Sequence, residues 1–180
     1  MIQRAIVLVT MCLAVAASLG AQADGLATGT GTMDTGKGPL TFTPLHAYAY
    51  VQTVGKLRFT WIVLTEKVAP AKALVAAADQ DEARRQWCEK EKTPFAAVQL
   101  DPAGAVNLYM SCAANGAMNT EMLSTWNGLD SVVLKIAARD AAHIKGTMKT
   151  GSGSCPGPGG RGQAYCTATG DYTFDAPFVK

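Results

Sequence analysis

The clearest pattern of apolar and polar positions lies at Leu57, Phe59, Trp61 and Val63, which alternate with Arg58, Thr60 and their neighbours. A period of two sends successive side chains to opposite faces of an extended backbone, so this stretch predicts a β-strand with one buried face. Residues 26–35, rich in Gly and Thr, predict a first strand. Gly36-Lys37-Gly38 then turns the chain into a strand over residues 40–50 that carries Phe42, Tyr48 and Tyr50. Pro44 falls inside that second run and has no N–H for a ladder, which predicts an edge strand or a bulge there. Further on, Asp101-Pro102-Ala103-Gly104 suits a type I turn between strands over residues 95–100 and 105–112. Val106, Leu108, Met110 and Cys112 are expected on one face of the second of these. Another hairpin is predicted to pair residues 132–138 with 143–150 across Arg139-Asp140-Ala141-Ala142. A closing strand or pair of strands covers residues 163–178, with Tyr172, Phe174 and Phe178 inward.

One segment breaks the period of two. Pro70 can open a short helical turn through Ala71, Leu74 and Val75. Asp79, followed three residues later by Glu82, has capping-box spacing and predicts a helix over about residues 80–91. Asp81 and Arg85 have the i, i+4 spacing that supports an exposed helix, and Ala83 and Trp87 lie on one stripe expected to face the core. Thr93-Pro94 ends the helix, because the residue before proline is pushed out of the helical region. The whole pattern predicts a mainly β fold: a two-sheet β-sandwich of about seven to eight short strands with a helical insert at about residues 70–92.

The first residues change the picture of where the chain works. Arg4, an apolar run to Leu19 and Ala21-Gln22-Ala23 read as a signal peptide over residues 1–23, cleaved before Asp24. Residues 24–180 then form a single domain, periplasmic or secreted. No other stretch approaches the roughly 20 apolar residues of a membrane span, so none is expected. The full chain has 16 Lys and Arg against 14 Asp and Glu, and loss of Arg4 leaves a net charge near +1. That balance, without a basic run, argues against nucleic acid as a partner. Cleavage also removes Cys12 and leaves Cys88, Cys112, Cys155 and Cys166. An even set in an oxidising compartment predicts two disulfides, preferably Cys88 with Cys112 and Cys155 with Cys166. Each would stabilise by roughly 3 kcal/mol. The alternative, a four-cysteine zinc site, lacks any C-x-x-C pair, and no metal or other cofactor is expected.

The run Gly36-Lys37-Gly38-Pro39-Leu40, then Leu45-His46-Ala47-Tyr48-Ala49, resembles the opening of a group of uncharacterised exported bacterial proteins. The strand ending Val63-Leu64-Thr65 is similar too. So are Ile144-Lys145-Gly146-Thr147 and the closing Thr173-Phe174-Asp175-Ala176-Pro177-Phe178. The resemblance spans most of residues 24–180 and implies export. It implies no activity, and the four cysteines are not part of its pattern.

Candidate chemistry is sparse. Gly31 to Lys37 spells G-x-x-x-x-G-K, but Gly38 stands where a P-loop needs Ser or Thr, and no helix is predicted to follow, so a plain turn between strands is expected. His46 and His143 fall on predicted strands without ligand-spaced partners and read as structural. Asp171 and Asp175 read as the solvent face of a strand, and the mixed charges of residues 79–92 as a solvated helix face. Two candidate binding features remain. One is the glycine- and proline-rich loop over residues 156–162, bracketed by Cys155 and Cys166, which would present Arg161 with Tyr165 nearby; the other is Trp126 beside Asn127-Gly128. A constrained loop loses less freedom on binding. The expectation is therefore a non-catalytic protein-binding module of inhibitor or immunity type, with an envelope or secreted protein as its partner. The rivals are a hydrolase or carbohydrate-active enzyme, which needs Asp130, Asp171 or Asp175 to converge in a cleft. A small-ligand carrier would instead show an apolar cavity between sheets.

Overall fold

Period-two runs become strands here, and they hydrogen-bond into a single sheet. The computed structural model describes residues 24–34, 39–113, 118–122, 132–151, 155–156, 163–164 and 168–180. Along the chain these are β1 (Gly25–Asp34), β2 (Pro39–Phe42), β3 (His46–Val54), β4 (Leu57–Thr65), α1 (Ala71–Ala76) and α2 (Gln80–Glu91). They continue with β5 (Phe95–Leu100), β6 (Val106–Cys112), β7 (Met118–Met122), β8 (Val132–Arg139), β9 (His143–Thr150), β10 (Cys155–Pro156), β11 (Gln163–Ala164) and β12 (Ala168–Pro177). The main sheet runs β7-β6-β5-β4-β3-β1-β12-β9-β8, with β2 added beside β1, and β10 pairs with β11.

The fold is mainly β, but its strands do not divide into the two stacked sheets expected. β1 sits in the middle of the order and pairs antiparallel with β3 on one side and with β12 on the other. Both halves of the chain therefore bond to one common strand. The sheet curls until β6 and β8, from opposite ends of the order, touch. Its concave face holds one continuous cluster that includes Phe42, Ile62, Leu64, Val98, Tyr109, Ile144, Met148 and Phe174. Each such side chain, fully buried, contributes about 1.5–3 kcal/mol. The glycines of β1 have a packing reason. Gly31 and Gly170 face each other across β1 and β12, and a Cβ on Gly31 would lie 1.9 Å from the Tyr172 hydroxyl. The missing side chains leave room for the Tyr172 ring.

All of β5 and the adjoining stretches of β3, β4 and β6 are buried on both faces. Tyr48, Tyr50, Trp61, Val63, Phe95, Met110 and Cys112 point away from the concave cluster and lie under α1 and α2 with Leu74 and Cys88. The helix α2 begins as its sequence predicts: the Asp79 carboxylate accepts from the Glu82 amide at 2.9 Å. It ends with Lys92 in the left-handed region (φ 50°) and with the Thr93 amide donating to the Cys88 carbonyl at 3.2 Å. A disulfide joins Cys88 to Cys112 and fastens α2 to β6. No helix among the described residues is long and apolar enough to cross a membrane.

Several local expectations are corrected. Pro44 does not bulge a strand but separates β2 from β3. Ala83 and Trp87 only flank the helix-covered cluster, whereas the fully buried helical side chains are Arg84 and Cys88. Arg85 bonds Glu82 and Glu89, leaving Asp81 to pair with Arg84. In β6 the register shifts so that Gln99 opposes Leu108 and Leu100 opposes Val106, with Asn107 as the extra residue. That bulge turns Val106 into the concave cluster while Leu108 stays with the helix side.

Candidate functional site

Four connections meet at one end of the curled sheet: the β3–β4 turn, the β5–β6 turn, the β8–β9 turn and the last residues after β12. On β4 the concave row runs Leu64, Ile62, Thr60 and then Arg58 at the rim, because alternate residues share a face. Val51 lies opposite Thr60 on β3. Arg139 reaches the same rim through a second bulge. Ile136 opposes Gly146, but Arg139 rather than Ala138 opposes the fully buried Ile144. The shift turns Arg139 inward, where its Nη2 donates to Thr60 Oγ1 at 2.9 Å and its guanidinium lies 5.7 Å from the centre of the Phe178 ring.

Two adjoining cavities share Val51, Arg58 and Arg139. One, about 460 Å³, extends over Phe178, Val179 and Lys180; the other, about 400 Å³, extends over Lys56, Leu57 and Pro102. Among the described residues two aspartates stand at this rim, and each turns one carboxylate oxygen to backbone. Asp101 Oδ1 accepts from the amides of Ala103 and Ala105 at 2.9 and 2.8 Å. Asp140 Oδ1 accepts from Ala142 and His143, both at 2.7 Å, and those amides hold its carboxyl below the usual range. Arg58 and Lys56 make no ion pair among the described residues. The hairpin tip beside them also exposes Val54 and Leu57. The rim thus places cations beside exposed apolar side chains.

A second cationic centre is enclosed. Arg84 is 1 % exposed and stacks 4.8 Å from the Trp61 ring centre and 5.6 Å from that of Tyr50. It donates to the Tyr50 hydroxyl and to Asp81, while its Nε has no partner. Burial pushes the Tyr50 hydroxyl up to about 12, against the opposing pull of Arg84, and raises that of Tyr48 further. Trp61 Nε1 donates to Gln52 at 2.9 Å, and Asn107 to Gln99 at 2.6 Å. This is a clamp between α2 and the sheet, packed on all sides.

The residues named from sequence distribute differently. Trp126, Arg161, Tyr165 and Cys166 lie outside the described residues, as do Asp130 and residues 1–23. Cys155 belongs to β10, but its bonding is likewise outside them. Asp171 and Asp175 do not converge: they lie on the outer face of β12, bonded to Lys149 at 3.4 Å and Lys145 at 2.7 Å. His143 Nδ1 meets the same Asp175 at 2.7 Å, and these two partners hold its carboxyl low. His46 pairs with Asp24 at 2.7 Å. The first four residues of the G-x-x-x-x-G-K run are the end of β1, the rest lies outside the described residues, and the element that follows is the strand β2 rather than the helix a P-loop needs. Sequence reading passed over Arg58, Arg84 and Arg139. Each looked like the polar half of an alternation or a solvated helix face, and only the unusual Arg58-x-Thr60 continuation of a buried row could have flagged one. No protein-family model matches this chain, and neither a curated protein nor a solved structure matches it.

Proposed function

We propose that this chain is an exported, non-catalytic binding protein, periplasmic or secreted, that engages another envelope or secreted protein in the manner of an inhibitor. The observation that carries this reading is the rim at the end of the curled sheet. There exposed Val54 and Leu57 stand on a tight hairpin beside Lys56 and Arg58, which make no ion pair among the described residues. Apolar anchors ringed by charge are what protein interfaces use for affinity and for orientation. The Cys88–Cys112 disulfide supports an oxidising compartment. The leader-like first residues and the likeness of the opening and closing motifs to exported bacterial proteins support the same location.

The test is co-purification from an envelope extract with the oxidised chain and with a Val54→Asp/Leu57→Asp variant of equal thermal stability. The expected result is a stoichiometric partner retained by the first and lost by the second. Identical recoveries from both, with each chain folded and monodisperse, would overturn the reading.

A further inference from the structure

The geometry points to a carboxylate site at this rim: we propose that Arg58 and Arg139 together receive a carboxylate whose apolar body enters the cavity over Phe178 and Val179. The inference deepens the binding reading above and rests on it. Arg58 and Arg139 line both cavities, so they form the shared wall at which an anion would sit. On the outer face Lys145 pairs with Asp175 and Lys149 with Asp171, whereas Arg58 has no carboxylate partner among the described residues. The nearby Asp101 and Asp140 each turn Oδ1 to backbone amides of their own turns, and neither makes an ion pair with Arg58 or Arg139 among the described residues. Arg139 is already oriented by Thr60 and Phe178, so little of its freedom is lost on binding. A guanidinium fork matches a carboxylate through two parallel hydrogen bonds, which an ammonium does not. A space of about 460 Å³ falls within the range of small-ligand sites and would hold a few carbons beyond the acid group.

Two sources share this chemistry: an acidic side chain next to an apolar one on a protein partner, and a free aliphatic acid. Three probes separate them: an acetylated, amidated leucyl-glutamyl-leucine peptide, its glutaminyl counterpart, and octanoate. Each is titrated into the oxidised full chain and followed by backbone amide shifts. The expected result is saturable binding of the glutamyl peptide, with shifts in residues 54–58 and 178–180. The glutaminyl peptide should bind at least about tenfold more weakly. Arg58→Ala should cost about tenfold in affinity without moving the thermal midpoint, since Arg58 is exposed. Arg139→Lys should give a smaller loss, because charge survives without the fork. Saturation by octanoate alone supports the site but assigns it to a free acid and counts against a protein partner. Equal binding of the glutamyl and glutaminyl peptides, or no effect of Arg58→Ala, overturns the carboxylate inference. Saturation by neither acid overturns it too, while a partner still lost with Leu57→Asp would leave the broader binding reading standing.

Discussion

β5 and β9 are strands of one sheet with opposite surroundings. Every residue of β5 is buried, because the concave cluster lies on one face and α1 and α2 on the other. In β9 buried and accessible residues alternate, since its outer face meets solvent. The sheet is therefore a three-layer structure in one half and a two-layer structure in the other. The difference explains where polar groups become costly. In the covered half even an arginine had to be enclosed, with aromatic faces and a carboxylate around it. In the open half lysines and aspartates sit on the surface at little expense.

Four experiments sharpen this contrast, the largest effect first. Trp61→Ala removes a 2 %-exposed ring that supports both Tyr50 and Arg84 and should cost about 3–5 kcal/mol in urea melts. Lys149→Ala on the outer face of β9, whose side chain is 68 % exposed, should change stability by less than about 0.5 kcal/mol. Comparable losses at the two positions would refute the layered picture.

Next in size is the covalent link. Replacing Cys88 and Cys112 together by Ala frees α2 from β6 across 24 residues of chain and should cost about 3 kcal/mol. The near-ultraviolet signal of Trp61 should weaken with it. Smaller still is Arg84→Met, which keeps the stem and discards a buried charge with an unpartnered Nε. Asp81 is 53 % exposed and returns to water, so stability should stay within about 1 kcal/mol of the parent or rise as the desolvation of the guanidinium is relieved. Arg84→Ala, which leaves a void on Trp61, should be clearly worse than Arg84→Met; equal melts would mean that packing there is loose.

The last contrast is in pH. A tyrosine in the unfolded chain ionises near about 10, whereas Tyr50 holds its proton to about 12. Its raised folded value means stability that is complete below about pH 10 and is lost as pH rises toward 12, with a slope that Tyr50→Phe flattens. Asp175 works in the other direction. Lys145 and His143 hold its carboxyl low, so its contribution is present above about pH 4 and fades as pH falls. Asp175→Asn should soften the acid limb slightly, and denaturant midpoints across pH read both effects.

Legibility in the sequence followed the same division. Where one face meets solvent, alternation is visible, and β9 and β12 stood within their predicted ranges, although Arg139, expected in the turn, closes β8 instead. The helix α2 was legible from Asp79 and Pro94 because caps and stops are local signals. In the covered half the alternation read at Leu57, Phe59, Trp61 and Val63 predicted one buried face, but Trp61-Ile62-Val63-Leu64 is buried on both sides, so that period did not reveal the second covered face. Pairing across the whole sheet was also invisible, since no local residue states that β1 will bond to both β3 and β12. The rim was missed for a further reason: the bulges at Asn107 and Ala137 break the alternation that would have assigned Val106 and Arg139 to a face.

The bulge in β8 separates two frames of reading within one strand. From Val132 to Ile136 the even-numbered residues look inward; beyond Ala137 the odd-numbered ones do. Interior and entrance are thereby uncoupled, so an insertion past the bulge, between Ala138 and Arg139, would swing Arg139 to the outside with every hydrophobic residue retained. Loss of Ala137 would straighten the strand and leave the guanidinium facing in. The chemistry of the entrance is written in the count of residues as much as in their kind.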